Sequence, residues 1–85
     1  MSILILGVKS YGYISLDEWN SLFETHSEDE PKKSVVIFAY HNGYSYFKFN
    51  VYASEIQFSV DYYSGEIKIR SWIADTSQFT AWKTL

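Results

Sequence analysis

The tetrapeptide His41-Asn42-Gly43-Tyr44 constrains this chain more than any other feature. Asn-Gly accepts the positive φ angles of a type I′ turn, so a two-residue hairpin loop is predicted there. Its flanks support the reading. From Ser34 to Ile73 nearly every second residue is apolar or aromatic, and six of the chain's eight tyrosines lie in that stretch. Alternation with period two predicts strands with one buried face.

Pairing about Asn42-Gly43 sets Tyr40 against Ser45, Phe38 against Phe47 and Val36 against Phe49. A second tight turn at Ser64-Gly65 sets Tyr62 against Ile67, Val60 against Ile69 and Asp61 against Lys68. A third at Ala53-Ser54 joins the two hairpins, with Val51 opposite Ile56 and Phe49 opposite Phe58. All three turns put the same residues on one face, and a slip of one residue would destroy that agreement. The predicted inward face holds Val36, Phe38, Phe47, Phe49, Val51, Ile56, Phe58, Val60, Tyr62, Ile67, Ile69 and Ile73. The predicted outward face carries Tyr44, Tyr46 and Trp72 among Lys48, Lys68, Arg70 and Asp61.

Upstream, Ser15 and Glu18 stand at capping-box spacing, and Leu16, Trp19, Leu22 and Phe23 share one helical face. A helix over 16–25 is predicted, with Trp19, Leu22 and Phe23 covering the inward face of the sheet. The apolar run Ser2–Val8 predicts a strand at an edge of the same sheet, with the edge left open. Asp75 and Gln78 repeat the capping-box spacing ahead of Phe79, Trp82 and Leu85, which marks a short C-terminal helix able to cover part of the outward face. The expected fold is α+β: an N-terminal strand, one amphipathic helix on a four- to five-stranded antiparallel meander, and that terminal helix. The 85 residues are expected to form a single domain.

The charge is unevenly spread. Ser10 to Pro31 contains six acids and no Lys or Arg, whereas the rest has seven bases against four acids. Charge asymmetry of this kind concerns partners rather than fold. The chain has no cysteine, which excludes disulfides and thiolate metal sites. His26 and His41 are its only histidines, and both are expected at the surface, without the partners that a base or metal ligand needs. No nucleophile motif, phosphate loop or cofactor fingerprint occurs, so no enzymatic activity, cofactor or metal is expected. The N-terminal MSILILGV lacks a basic leader and the length of a membrane span, so a cytoplasmic location away from membranes is expected.

Tyrosine and tryptophan are favoured interface anchors, and an acidic surface steers association with a basic one. The expected function is a small protein-binding domain whose partner has a basic surface, such as a nuclease or toxin. Immunity proteins, antitoxins and phage anti-defence proteins share this make-up. The expected contact residues are Asp17, Glu24, Glu28, Asp29 and Glu30 for charge, with Tyr44, Tyr46 and Trp72 as anchors. Two alternatives stand beside it. Tyr46, Trp72, Lys48, Lys68 and Arg70 could form a stacking platform for single-stranded nucleic acid, although the acidic balance opposes that. The chain could instead be a self-assembling module, for example a homodimer.

Overall fold

The computed structural model describes residues 5–26, 34–51 and 54–85, and among them the chain is mostly sheet with one helix. The elements are β1 (Ile5–Tyr13), α1 (Leu16–Phe23), β2 (Ser34–His41), β3 (Tyr44–Val51), β4 (Ser54–Asp61), β5 (Ile67–Ile73), β6 (Gln78–Phe79) and β7 (Lys83–Thr84). The strands form one sheet in the order β1-β2-β3-β4-β5-β6, with β7 also paired to β5.

The meander from β2 to β5 is antiparallel as expected. Asn42 and Gly43 both take positive φ, 50° and 85°, and the hairpin has the predicted register, with Phe38 opposite Phe47. The other two registers differ from expectation by two residues. Phe47, not Phe49, lies opposite Phe58, and Val60, not Tyr62, lies opposite Ile67. The second shift comes from a wider loop at residues 62–66. There the Asp61 carboxylate accepts hydrogen bonds from the backbone N–H of Tyr63 (2.8 Å) and Ser64 (3.3 Å), and Gly65 takes a φ of 75°. Asp61 is thereby drawn into the loop and faces Tyr44 rather than Lys68. A shift of two residues leaves every side chain on its face.

The N-terminal strand departs further from expectation. β1 is parallel to β2, with Val8 beside Val36 and Ser10 beside Phe38. The sheet is therefore mixed rather than a pure antiparallel meander. Parallel neighbours need a crossover, and α1 lies within the one joining β1 to β2. The helix starts as predicted: Ser15 Oγ accepts from the Glu18 N–H at 3.2 Å, and the Glu18 carboxylate accepts from the Ser15 N–H at 3.1 Å. That reciprocal cap stabilises the helix by about 1 kcal/mol. The expected C-terminal helix is absent. Instead β6 and β7 divide the outer edge of β5 between them, and the Ser71 N–H donates to Thr80 Oγ1 at 3.0 Å.

The largest correction concerns which face α1 covers. Trp19 and Phe23 lie 5.3 and 5.4 Å from the ring of Tyr46, a residue predicted to point outward. The fully buried apolar residues among those described are Ile14, Phe23 and Ala39, with Trp19, Leu22, Ile37 and Tyr46 packed around them. The core is thus on the side predicted to face solvent. The side predicted to be the core has no cover among the described residues. Val36, Phe38, Phe47, Phe49, Ile56, Phe58, Val60 and Ile69 are only half-buried there, and Tyr62, Ile67 and Ile73 are exposed.

Candidate functional site: the helix side of the sheet

The last carbonyls of a helix have no intrahelical donors. Here the sheet supplies them. Lys48 Nζ donates to the Leu22 carbonyl. Gln57 Nε2 and Arg70 Nη2 both donate to the Phe23 carbonyl at 2.7 Å. Two of the three donors are cations at the negative end of the helix dipole, an arrangement that stabilises both partners. Arg70 Nε also donates to Gln57 Oε1 at 2.8 Å, and its Nη2 reaches Glu24 at 3.3 Å. Glu55 completes the network. It accepts from Gln57, lies 3.6 Å from Lys48 Nζ and stands 3.4 Å from His26 Nδ1.

This network explains the inverted packing. Lys48, Glu55, Gln57, Ser59 and Arg70 are all buried. The end of α1 presents carbonyls that Lys48, Gln57 and Arg70 reach, and Lys48, Gln57 and His26 surround the Glu55 carboxylate. Aromatic rings close the margins. The Arg70 guanidinium lies 4.2 Å from the ring centroid of Phe79 and 4.6 Å from that of Trp82. Trp72 stacks on His26 at 4.6 Å and meets Phe79 at 5.0 Å. The C-terminal segment therefore covers part of this face, as predicted, although as strand and turn rather than helix. His26, expected at the surface, has a side chain only 3 % exposed. His41 Nδ1 donates to the Ile14 carbonyl at 2.7 Å and so ties the β1–α1 junction to β2.

The predicted contact residues are divided by this packing. Asp17 is exposed in the first turn of α1. Together with Glu18, Tyr11, Ser21 and Leu22 it lines a shallow groove of about 270 Å³ between β1 and the helix. Glu24 caps the helix end, exposed on one side and joined to Arg70 on the other. Glu28, Asp29 and Glu30 lie outside the described residues. Tyr44 is exposed, with its ring 6.0 Å from Tyr46. Tyr46 and Trp72 are largely occupied by intramolecular stacking, and burial is the main reason the Tyr46 hydroxyl titrates above its ordinary range. Asp17, Glu24 and Tyr44 therefore share the helix side.

Four of the five members of the nucleic-acid platform, Tyr46, Lys48, Arg70 and Trp72, are covered by α1 or the C-terminal segment. The groove and its tyrosine were missed at the sequence level because β1 was expected to stop at Val8. Once β1 continues to Tyr13, Tyr11 comes to lie beside α1. Among the described residues no set of three His, Asp or Glu side chains could hold a metal ion, and no helix is long and apolar enough to cross a membrane. No protein-family model, curated protein or solved structure matches this chain.

Proposed function

We propose that this chain is a small non-enzymatic protein-binding domain, an inhibitor of a nucleic-acid-acting enzyme or toxin in the manner of immunity, antitoxin or anti-defence proteins. Its partner presents a basic surface to the α1 side. The observation that carries the reading is the burial of Lys48 and Arg70. Two of the chain's seven cations are consumed in holding the helix. Asp17 and Glu18 remain exposed on that side with Tyr11 beside them, Glu24 is partly exposed, and Tyr44 is exposed next to Tyr46. Such a surface attracts cationic partners over distances of about a Debye length, roughly 8 Å at physiological salt, and supplies tyrosine area for close contact.

The test compares the wild-type chain with a charge-reversed variant carrying Asp17→Lys, Glu28→Lys, Asp29→Lys and Glu30→Lys. The wild type is expected to co-purify with one basic protein at fixed stoichiometry. The variant, with an unchanged circular dichroism spectrum, is expected to associate more slowly and with a flatter salt dependence. Equal capture by both chains would remove the acidic side as the interface. A salt-sensitive gel shift of single-stranded DNA or RNA by the wild type would favour the nucleic-acid alternative instead.

A further inference from the structure

The bare face of the sheet is independent of the acidic side, because α1 occupies the opposite surface. We propose that this face is the interface of a symmetric, sheet-on-sheet dimer of this chain. Four observations point to a second copy as the occupant.

The first is extent. Strands β2 to β5 at about 4.8 Å spacing, each about 25 Å long, give a flat footprint of roughly 500 Å². A stable interface takes roughly 800 Å² per partner, and this footprint supplies more than half of that. It also lies toward the upper end of the roughly 300–600 Å² of the largest apolar patch on a typical monomer, a patch that is often functional.

The second is composition. From Val36 across to Ile69, the bare-face positions of β2 to β5 carry no Asp, Glu, Lys or Arg. An uncharged apolar surface is complementary to an identical copy of itself and offers a charged partner nothing to pair with. Its phenylalanines also pack on one another. Phe38 stands 4.9 Å from Phe47, and Phe49 lies 6.1 Å from Phe58, while Phe47 and Phe58 face each other across β3 and β4 near the centre.

The third is the size of the core. Only three apolar side chains among the described residues are fully buried. A domain this small is marginal even with a full core, and two such sheets packed about 10 Å apart would complete one. The fourth is the composition of the segment between α1 and β2. The segment 27–33 reads SEDEPKK, five of its seven residues charged, and has no side chain suited to covering phenylalanines.

Because the chain has no cysteine, a single introduced thiol forms a disulfide only between copies. Ser71→Cys and Phe58→Cys place it on the bare face, and Ser21→Cys places it on α1. Light scattering of the wild type should give twice the 10.0 kDa chain mass, and dilution should dissociate it. Under mild oxidation Ser71→Cys or Phe58→Cys should form covalent dimers at low protein concentration, and Ser21→Cys should not. A Phe47→Asp chain that is folded by circular dichroism should be a monomer, and a folded dimer of it would overturn the proposal. A folded wild-type monomer at every attainable concentration would overturn the proposal. So would crosslinking at Ser21 but at neither bare-face position, or a monomer that binds phosphatidylcholine vesicles through this face. Because no charge reversal on α1 touches these residues, failure here leaves the acidic-side reading standing, and the converse also holds.

Discussion

The two faces of one sheet are built on opposite principles. The helix side is sealed by polar groups. Lys48, Gln57 and Arg70 are out of water, and each donates a hydrogen bond to the end of α1. The other side is apolar throughout its centre and yet half-open. Hydrophobicity did not decide which face was covered. The crossover from β1 to parallel β2 brought a helix whose terminal carbonyls needed donors, and only the covered face of β2 to β5 carries Lys, Arg and Gln side chains long enough to reach them. The pattern of apolar residues along a strand locates a face, but the groups that end a neighbouring helix can decide which face is buried.

The largest expected contrast is between phenylalanines on the two sides. Phe23 is 0 % exposed, so Phe23→Ala should lower stability by about 3–5 kcal/mol, a large share of what a small domain has. The same loss should appear at every protein concentration. Phe58→Ala on the bare face should be milder in the monomer, and its effect should grow with concentration if the face is shared between copies. Urea unfolding of both variants over a range of concentrations checks this. Equal losses with no concentration dependence would erase the distinction between the faces.

A smaller effect is expected from the polar seal. Arg70→Met keeps much of the volume between Phe79 and Trp82 but removes donors from the Phe23 carbonyl and Gln57 Oε1. Each buried acceptor left unsatisfied costs about 1–3 kcal/mol. Gln57 still reaches the Phe23 carbonyl, so the loss should fall short of twice that range. In the double variant with Gln57→Leu the orphaned amide oxygen is gone but the Phe23 carbonyl loses both of its side-chain donors, so the two losses should not simply add. Strict additivity in a double-mutant cycle would show that the network does not act as a unit.

The smallest effect is the pH response of the 62–66 loop. The N–H groups of Tyr63 and Ser64, in that order of importance, hold the Asp61 carboxyl below its ordinary range. A depressed folded pKa means stability that is present above the unfolded value, near about 3.9, and lost as pH falls through the folded value. The wild type should therefore lose its advantage over Asp61→Asn as the solution is acidified below about pH 4. A constant difference between the two chains across that range would mean that the loop does not depend on the charge.

What the sequence revealed and what it hid follow from the same comparison. Local rules were legible: the Asn42-Gly43 turn, the Ser15/Glu18 cap and the alternation of β2 to β5. So was the membership of each face, which survived two registers displaced by two residues. The covered face was not legible. Lys48 and Arg70 look like solvated residues until a helix C-terminus is placed above them, and nothing in the spacing of α1 says where it will dock. The C-terminal pattern at Asp75 and Gln78 met the requirements of a cap, but the open edge of β5 offered backbone partners that a short isolated helix lacks. Of the candidate site, the position of Asp17 was visible in the capped helix. The occupation of Tyr46 and Trp72 by intramolecular stacking was not, because it depends on contacts far along the chain.

Those long separations bear on the order in which the molecule can assemble. The Phe23 carbonyl takes hydrogen bonds from residues 34 and 47 positions later in the chain. Hairpins close in about 1–10 μs because their contacts are local, whereas pairings between distant segments must first meet the entropy of a long loop. The β2–β5 meander is thus the natural nucleus. The parallel strand β1 and the docking of α1 follow it, although both elements precede the meander in the chain and are synthesised before it. A nascent chain that stops short of Arg70 can form the Ser15 cap at the start of its helix, but it lacks the last of the donors that close the other end.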